Sequence, residues 1–455
     1  MSPTRPRVGF ISLGCPKNLV DSEVMLGHLD RARCQIVNDP SEADVLVVNT
    51  CAFIEAAREE SIQTILKAAE LKKTGRLRRL VVAGCLVQRH HDELLRSLPE
   101  VDAFVGLDEL DQVVARAGVA PLPTRSLPTG GLKVLKGAST YLYDDRTPRR
   151  QATSRWTAYI KIAEGCDHTC AFCAIPSFRG AFRSRRLGSI LKEAQELAAS
   201  GVLEVNLIAQ DSSHFGRDLG LVDALARLLE GLNEIDGLRW IRLHYLYPNT
   251  VTPRLIDAMA RLDRVVKYVD LPLQHAHPDT LRRMRRGGSA RTHLALVRKF
   301  REAIPGAAFR TTLITGFPGE TEEEFEALVE FVRDARFEHL GVFTYSHEEG
   351  TPAAAMADDV PSRVKEARRS RLMELQRAIV AERNARRIGS REEVLVEGAH
   401  PETDDLLVGR LSTQAPDVDG QVLINDGHAR PGEFVLVELT DVAGYDVVGR
   451  ILGAA

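Results

Sequence analysis

The stretch Glu164-Gly-Cys-Asp-His-Thr-Cys-Ala-Phe-Cys-Ala-Ile-Pro176 places three cysteines, Cys166, Cys170 and Cys173, in a C-x3-C-x2-C array. This array offers three thiolates to a four-iron cluster and leaves the fourth iron without a protein ligand, whereas electron-transfer clusters are normally closed by four cysteines. An open iron can bind and polarise a substrate, just as a catalytic zinc site keeps one position free. The array therefore predicts chemistry at a metal cluster.

Two other interpretations of the array have to be weighed. Three thiolates with the nearby His168 could hold a structural zinc, but zinc sites usually use two C-x2-4-C pairs and no second pair lies close in the sequence. A disulfide is less favoured because nothing else in the chain has the character of a secreted protein. A zinc-stabilised nucleic-acid-binding module without catalysis stays open as a minor alternative.

The composition is that of a globular protein with room for two to four domains. The chain has 455 residues, of which 44% are hydrophobic and 27% are charged. The N-terminus has no signal-peptide pattern, and no apolar stretch approaches the roughly 18 residues that a membrane helix needs. Seven cysteines are too few for a disulfide scaffold and are typical of a reducing compartment. We therefore expect a cytoplasmic protein without a membrane partner.

Three strand-like apolar runs in the N-terminal third each end in a cysteine, namely Cys15, Cys51 and Cys85. Helical patterns lie between the runs, which predicts a parallel sheet with the carboxyl ends of its strands along one edge. Ligands bind at that edge in such sheets. A lone cysteine is more often an ordinary core residue, and we interpret Cys34 in that way. The shared position of the other three predicts a second metal site with three thiolates.

The middle of the chain shows a repeated strand and helix pattern. Residues 121–154 are rich in Pro, Thr, Gly and Arg and are predicted to be a linker or irregular connection. Six β/α units follow, which predicts an incomplete β/α barrel whose chemistry lies at the carboxyl ends of its strands. Ser189 is expected to cap one helix, and Thr321 with Glu324 to form a capping box on another. The predicted strands are 158–163, 204–210, 238–245, 265–271, 309–315 and 340–345.

The C-terminal part has a different pattern. Residues 361–388 read as one long charged helix, and residues 391–452 contain five alternating strands separated by Gly and Pro turns, which predicts a small β-barrel of the oligonucleotide-binding type. The predicted fold class is thus α/β, with an N-terminal parallel-sheet domain, a partial (β/α)6 barrel and a small β-barrel. The predicted domains are 1–120, the linker 121–154, 155–388 and 389–455.

The motifs resemble those of the radical S-adenosylmethionine enzymes, and the whole chain resembles the methylthiotransferases among them. The C-x3-C-x2-C array with Phe172 before its last cysteine carries the first resemblance, and the three N-terminal cysteines and the short tail, which is similar to a TRAM domain, carry the second. The runs Ser12-Leu-Gly-Cys-Pro-Lys-Asn-Leu-Val-Asp-Ser-Glu23 and 166–180 are similar to the branch that modifies a ribosomal protein. The tRNA-modifying branch typically has Gly-Cys-Gln-Met-Asn at the first of these positions.

This resemblance implies two [4Fe-4S] clusters and S-adenosylmethionine as cofactors. The cluster on the array would cleave S-adenosylmethionine to a 5′-deoxyadenosyl radical, and a cluster on Cys15, Cys51 and Cys85 would hold the sulfur that is transferred. The implied acceptor is the β-carbon of an aspartate in the twelfth protein of the small ribosomal subunit. An electron donor such as flavodoxin or ferredoxin and a sulfur donor are implied as partners. The residues expected to contact S-adenosylmethionine, by their place in such a fold, are Phe172, Gln210, Asp211, Gln274, His275 and Arg310.

Charge bears on the choice between a protein and an RNA substrate. The net charge is -3, but the stretch from Ser390 to the end has 13 acidic residues, four arginines and no lysine, a formal charge of -9. An RNA-binding module needs cationic side chains against phosphates, whereas a basic ribosomal protein would be attracted to an acidic module. The stretch 179–186 has four arginines and favours an RNA substrate, unless it surrounds the cofactor or is a solvated face. The tail can equally be a solvated surface, and a tRNA adenosine 2-methylthiotransferase remains the alternative function.

Overall fold

The computed structural model describes residues 5–119 and 137–455. These residues form two compact units. The first contains the described chain up to residue 152 together with 161–185 and 346–351, and the second contains 153–160, 186–345 and 352–455.

The first unit is built on a parallel five-stranded sheet with the order β2-β1-β3-β4-β5. Its central strand β3 is buried along its whole length because its run Val-Leu-Val-Val is apolar on both faces. The predicted sheet is confirmed. The strands are β1 (Arg7–Ser12), β2 (Gln35–Val37), β3 (Val45–Thr50), β4 (Arg79–Gly84) and β5 (Ala103–Val105). The helices are α1 (Pro16–Arg31), α2 (Glu55–Thr74), α3 (Cys85–Ser97) and α4 (Val113–Arg116).

Residues 137–152 contain no helix or strand but pack on the first unit. The Arg149 guanidinium pairs with the fully buried Glu23 carboxylate at 2.5 Å, and Arg150 pairs with Asp30 at 2.9 Å. Of the predicted linker, 121–136 lies outside the described residues, and the part after it is held against α1 by these contacts. It is an irregular segment of the first unit, anchored by the buried Glu23 carboxylate.

The cysteine array lies in the first unit, within residues 161–185. The chain there forms the end of β6 (Thr157–Lys161), a short antiparallel pair β7 (Ala163–Glu164) and β8 (Arg183–Ser184), and between them the helix α5 (Ile175–Arg179). Phe178 and Ala174 pack into the same apolar core as the helices α2 and α3. The loop with the array is therefore anchored by the core of the N-terminal sheet.

The second unit contains the partial barrel and the C-terminal barrel. Its strands form two three-stranded sheets, β10-β9-β6 and β11-β12-β13, and a bridge between Ile241 and Val265 joins them. The six predicted strands are thus present. They continue as β9 (Glu204–Ile208), β10 (Trp240–Leu243), β11 (Tyr268–Asp270), β12 (Ala308–Thr315) and β13 (His339–Thr344). The helices are α6 (Leu187–Ala199), α7 (Ala224–Asn233), α8 (Pro253–Arg261), α9 (Pro278–Arg283), α10 (Ala290–Ala303), α11 (Glu322–Ala335) and α12 (Ser362–Ala385).

The C-terminal barrel is closed, in the order β14-β15-β16-β18-β17. Its interior is filled by valines and leucines such as Val394 and Val437, so it is a packed core. Buried charges join it to the partial barrel, because Glu204 accepts hydrogen bonds from both Arg242 and Arg410. The strands are β14 (Arg391–His400), β15 (Thr403–Leu411), β16 (Val422–Asp426), β17 (Phe434–Ala443) and β18 (Asp446–Ala454). No helix among the described residues is long and apolar enough to cross a membrane.

Candidate metal centre

The three N-terminal cysteines lie at one edge of the parallel sheet. Cys15 precedes α1, Cys51 follows β3, and Cys85 is the first residue of α3. Since β1, β3 and β4 are neighbours in the sheet, their carboxyl ends bring the three residues together. The approach is close enough that a Cβ atom on Gly14 would lie 2.7 Å from the Cys51 Cβ. The order of the strands therefore brings Cys15 and Cys85 together, although they are 70 residues apart in the sequence.

Two buried asparagines hold the loops that carry these cysteines. The Asn18 amide donates to the carbonyls of Leu13 at 2.7 Å and of Thr50 at 3.3 Å, which fixes the turns before Cys15 and Cys51. The Asn49 amide donates to the Asn18 carbonyl at 2.9 Å. Both asparagines are fully buried. Their hydrogen bonds therefore hold the two loops that carry Cys15 and Cys51.

Burial changes the pKa of two of the three thiols, Cys51 and Cys85. Burial raises the pKa of the Cys85 thiol to about 12; the Arg179 guanidinium opposes this, and the neighbouring Cys51 and Cys15 add to it. Burial also raises the pKa of the Cys51 thiol. Thiolates are the form that binds metal, so these groups ionise when a cation compensates their charge. All seven cysteines are free of disulfides, and Cys34 is buried as predicted for a core residue. The donor set therefore fits an iron–sulfur cluster.

A buried network of charges contacts this site. Nη2 of Arg179 donates to Cys85 Sγ at 3.0 Å and lies 3.0 Å from Asp21 Oδ2, and its Nη1 donates to Glu164 Oε2 at 2.9 Å. The Lys161 ammonium lies between the same two carboxylates, 2.5 Å from Asp21 and 2.6 Å from Glu164. Every one of these side chains is at most 5% exposed. No local motif predicts this network, and its one signal in the sequence is the lysine in an otherwise apolar strand.

The cysteine array forms a compact loop between β7 and α5. The Cys166 N–H donates to the Gly180 carbonyl at 3.0 Å, and the Cys173 N–H donates to the Cys170 carbonyl at 3.1 Å. Cys170 is buried, whereas Cys166, Cys173 and the neighbouring Phe172 are partly exposed. The loop thus presents its thiols from a closed backbone turn and leaves Cys166 and Cys173 partly accessible to a ligand. This donor set also fits a cluster with one open iron.

Four of the predicted cofactor residues lie at carboxyl ends of strands in the second unit. Gln210 and Asp211 follow β9, and Gln274 and His275 follow β11. The Asp211 carboxylate accepts hydrogen bonds from the Ser213 N–H, at 2.9 Å, and from the Ser213 hydroxyl, and it lies 2.7 Å from His214 Nδ1. Its first role in the fold is therefore to cap the short turn that follows it.

His275 is completely buried beside the turn Gly316-Phe-Pro-Gly319, which follows β12. Its Nδ1 accepts a hydrogen bond from the His277 N–H at 3.0 Å, and its Nε2 lies 3.4 Å from Glu320 Oε2. Glu320 in turn accepts hydrogen bonds from the Gly316 N–H and from Arg368. This set of contacts fixes the turn at the carboxyl end of β12.

Arg310 does not fit its predicted role. It is the third residue of β12 and so lies near the amino end of that strand, not its carboxyl end. Its guanidinium pairs with Asp419 of the C-terminal barrel at 2.6 Å, and the Tyr268 hydroxyl donates to the same carboxylate at 2.7 Å. The Asp419 side chain is fully buried, so Arg310 is needed to neutralise it. We therefore interpret Arg310 as a structural residue and no longer as a cofactor contact.

The arginines of 179–186 do not form a solvated face either. Arg179 and Arg185 are buried, and Arg185 donates to the Lys161 carbonyl at 3.1 Å and stacks 4.1 Å from the centre of the Tyr143 ring. Arg186 is exposed. Most of the positive charge in this stretch is therefore used inside the first unit, which weakens it as an argument for nucleic acid.

Comparison with known families and proteins identifies the chain. Three family models match: the Uncharacterized protein family UPF0004 over residues 7–106, the Radical SAM superfamily over 160–332, and the TRAM domain over 388–452. A protein of Anaeromyxobacter sp. (strain K) is 50% identical over 446 residues, which are 98% of this chain and 93% of that one. The chain belongs to the radical S-adenosylmethionine methylthiotransferase family. A further relative from Geobacter sulfurreducens is 48% identical and covers 99% of this chain and 100% of its own length.

Both relatives are named ribosomal protein uS12 methylthiotransferase RimO. Among solved structures, the radical S-adenosylmethionine methyltransferase TsrM from Kitasatospora setae has 16% sequence identity and a TM-score of 0.55, with 77% of each chain covered. The cobalamin-dependent radical enzyme OxsB has 12% identity and a TM-score of 0.51, covering 83% of this chain and 56% of that chain. At these identities the two structures establish a shared fold. A radical S-adenosylmethionine domain implies one [4Fe-4S] cluster and S-adenosylmethionine.

Proposed function

We propose that this chain adds a methylthio group to the β-carbon of an aspartate in ribosomal protein uS12. The observation that carries the proposal is that one compact unit contains two separate sets of three cysteines, Cys166, Cys170 and Cys173 in a loop and Cys15, Cys51 and Cys85 at a sheet edge. Two open clusters match a reaction that needs both a radical and a sulfur to transfer. The names of relatives that are 50% and 48% identical to nearly the whole chain support the same reaction and substrate.

In this proposal the loop cysteines hold the cluster that binds S-adenosylmethionine. When bound together, the cluster and S-adenosylmethionine would supply a 5′-deoxyadenosyl radical. This radical can remove hydrogen from an unactivated carbon, which no side-chain base can do. The protein contributes a loop that is closed by the Cys166 to Gly180 hydrogen bond and a partly exposed aromatic ring, Phe172, beside the last cysteine. Gln210, Asp211, Gln274 and His275 remain proposed contacts of S-adenosylmethionine, since they lie at strand ends.

The sheet-edge cysteines hold a second [4Fe-4S] cluster that binds the sulfur before its transfer. Support for this part comes from three buried or partly buried thiols at adjacent strand ends and from the arginine that donates to one of them. Burial keeps the Cys51 and Cys85 thiols protonated at neutral pH, and a bound cation would compensate the charge of their thiolates and release those protons. The asparagine hydrogen bonds described above hold the sheet-edge loops in place.

A basic protein substrate agrees with the surface of the C-terminal barrel. Asp419 and Glu397 are neutralised by arginines, but many acidic side chains of this barrel are exposed. An acidic surface attracts a basic ribosomal protein and repels the phosphates of RNA. The exposed acidic residues are Glu402, Asp405, Asp417, Asp426, Glu433 and Asp441.

The reaction also needs an electron donor, for which a small carrier such as flavodoxin or ferredoxin is suitable, and a sulfur donor. A uS12 substrate places the reaction in the cytoplasm, where ribosomes are assembled.

Mass spectrometry of uS12 tests the function directly. Ribosomal protein from cells with the gene and from cells in which it is deleted is digested, and the aspartate-containing peptide is compared. We expect the methylthio mass on the aspartate only when the gene is present. The same cells provide tRNA nucleosides for the opposing outcome: unmodified uS12 in both strains together with loss of 2-methylthioadenosine from tRNA on deletion would assign the chain to the tRNA branch.

A further inference from the structure

Arg179 joins the two sets of cysteines through the covalent chain and through hydrogen bonds. It ends α5, the helix that begins two residues after Cys173, and the carbonyl of the next residue, Gly180, accepts the Cys166 N–H. Its guanidinium reaches the other set, where Nη2 donates to Cys85 Sγ at 3.0 Å. All of these groups belong to the first unit.

The guanidinium has little freedom to adopt another position. Asp21 pairs with Nη2 at 3.0 Å and Glu164 with Nη1 at 2.9 Å, and the Lys161 ammonium pairs with both carboxylates. Two cations and two carboxylates give this buried set a formal charge of zero. A structural role alone would be satisfied by the two carboxylates. The additional hydrogen bond, from Nη2 to the Cys85 sulfur, is what a purely structural ion pair does not require.

The geometry points to Arg179 as a positioning residue that tunes the cluster proposed for Cys15, Cys51 and Cys85. Hydrogen bonds to cluster sulfurs and nearby positive charge stabilise the reduced, more negative cluster, and they are among the factors that set its reduction potential. A buried site strengthens this effect because water does not screen it. Arg179 therefore raises the reduction potential of this cluster and fixes the Cys85 thiolate. This inference rests on the second cluster of the proposed function.

The test measures this cluster alone. Full-length chain with Cys166, Cys170 and Cys173 all replaced by Ala is reconstituted anaerobically, so that only the sheet-edge cysteines can hold a cluster. Its midpoint potential is followed by electron paramagnetic resonance, with and without Arg179→Gln. At the midpoint of the parent, the reduced-to-oxidised ratio should fall about tenfold in Arg179→Gln, which is a shift of about 59 mV to lower potential for a one-electron couple.

Arg183→Gln is the matched control. This arginine lies four residues away, is partly buried, and donates to the backbone carbonyls of Ala181 and Arg179. Among the described residues its hydrogen bonds include none to a cysteine, so the midpoint should not move. If Arg179→Gln fails to fold, Arg179→Lys keeps the charge but loses the two-pronged guanidinium, and a smaller shift in the same direction is expected.

The outcomes separate the inference from the proposed function. A triple-alanine parent that holds no iron would overturn the second cluster, and the inference with it. A parent that holds about four irons, with the same midpoint for Arg179→Gln and Arg183→Gln, would overturn the role of Arg179 and leave the second cluster intact. An equal downward shift for both variants would also contradict the inference, because it would show a general effect of charge without the contact to Cys85.

Discussion

The two sets of cysteines reach similar arrangements by different means. Cys166, Cys170 and Cys173 lie within eight residues on one loop, and backbone hydrogen bonds of that loop close it. Cys15, Cys51 and Cys85 each follow a different strand and meet only because β1, β3 and β4 are adjacent. The first site can be assembled locally, whereas the second exists only once the sheet has formed. The geometry of the site formed by Cys15, Cys51 and Cys85 therefore depends on the stability of the sheet.

The largest expected effect separates the roles of the two sets. Cys15, Cys51 and Cys85 are replaced together by Ala in one variant, and Cys166, Cys170 and Cys173 in another. Each variant should lose about four of about eight irons, and both should lose methylthio transfer to uS12. Cleavage of S-adenosylmethionine, measured as 5′-deoxyadenosine, should persist only in the first variant. If cleavage were lost there while four irons remained bound, the proposed division of roles would be wrong.

Two glycines test how each set is positioned. Gly84 has φ +97°, and a Cβ there would lie 2.2 Å from Asn49 Oδ1; Gly165 has φ +79°, and a Cβ there would lie 2.1 Å from the Ala181 carbonyl oxygen. An alanine at either position is strained and must displace the adjoining cysteine loop. We expect Gly84→Ala to lose about four irons and keep S-adenosylmethionine cleavage, and Gly165→Ala to lose about four irons and the cleavage.

Gly188→Ala is the control for both glycine variants. A Cβ at this position in α6 meets nothing within 4 Å, and alanine is favoured over glycine in a helix. Iron content and cleavage should equal those of the parent chain. Loss of cleavage in Gly84→Ala with normal iron content would show that the two loops are not positioned independently.

A buried charge away from the cysteines separates loss of stability from loss of metal. Burial favours the neutral form of Glu204, but Arg410 and Arg242 overcome it and lower the pKa to about 2 from an ordinary 4.5. The carboxylate form thus stabilises the fold by about 3 kcal/mol above pH 4.5, and this stabilisation is lost as the pH falls from about 4.5 towards 2. Glu204→Gln should lower the free energy of unfolding in urea by about 3 kcal/mol at pH 7.

The difference in the free energy of unfolding between Glu204→Gln and the parent chain should become smaller below pH 4.5, because Glu204 of the parent is then progressively protonated. The iron content at pH 7 should not change. Glu204 is completely buried, so solvent does not screen these interactions. If the free energy of unfolding differed equally at pH 7 and at pH 3.5, the charge of the carboxylate would not be what stabilises the fold through the two arginines. Loss of iron from folded Glu204→Gln would show that the metal sites depend on the contacts of Glu204.

The sequence was sufficient for features that depend on local pattern and strand order. The apolar runs before Cys15, Cys51 and Cys85 predicted the sheet, and the sheet order then brings the cysteines together. The strand of 265–271 is shorter than its pattern suggested, since only Tyr268–Asp270 form β11. Ser189 lies inside α6 and does not cap it, because the helix begins at Leu187. Apolar pattern does not show where backbone hydrogen bonds begin and end.

Contacts between charged residues far apart in sequence could not be predicted in the same way. Arg310 was expected near the cofactor because it lies in a barrel strand, but its partner Asp419 is 109 residues away in the C-terminal barrel. Likewise, Asp21 and Lys161 are 140 residues apart and pair at 2.5 Å. A charged residue in an apolar run indicates that some partner exists, but tertiary packing alone decides which one.

The smallest expected effect concerns a helix cap that the sequence predicted in full. The Thr321 hydroxyl accepts the Glu324 N–H at 3.2 Å, and the Glu324 carboxylate accepts the Thr321 N–H at 3.0 Å, which is the predicted capping box. Thr321→Ala should lower the free energy of unfolding by about 1 kcal/mol, and Thr321→Ser, which keeps the hydroxyl, by much less. Urea unfolding at pH 7 measures both, and equal losses for the two variants would show that the hydroxyl is not the stabilising group. Iron content should not change in either. A motif that is easily recognised in the sequence can thus contribute little to the free energy of unfolding. Gly84, by contrast, belongs to no local motif, yet its replacement is expected to remove the iron bound at the sheet-edge cysteines.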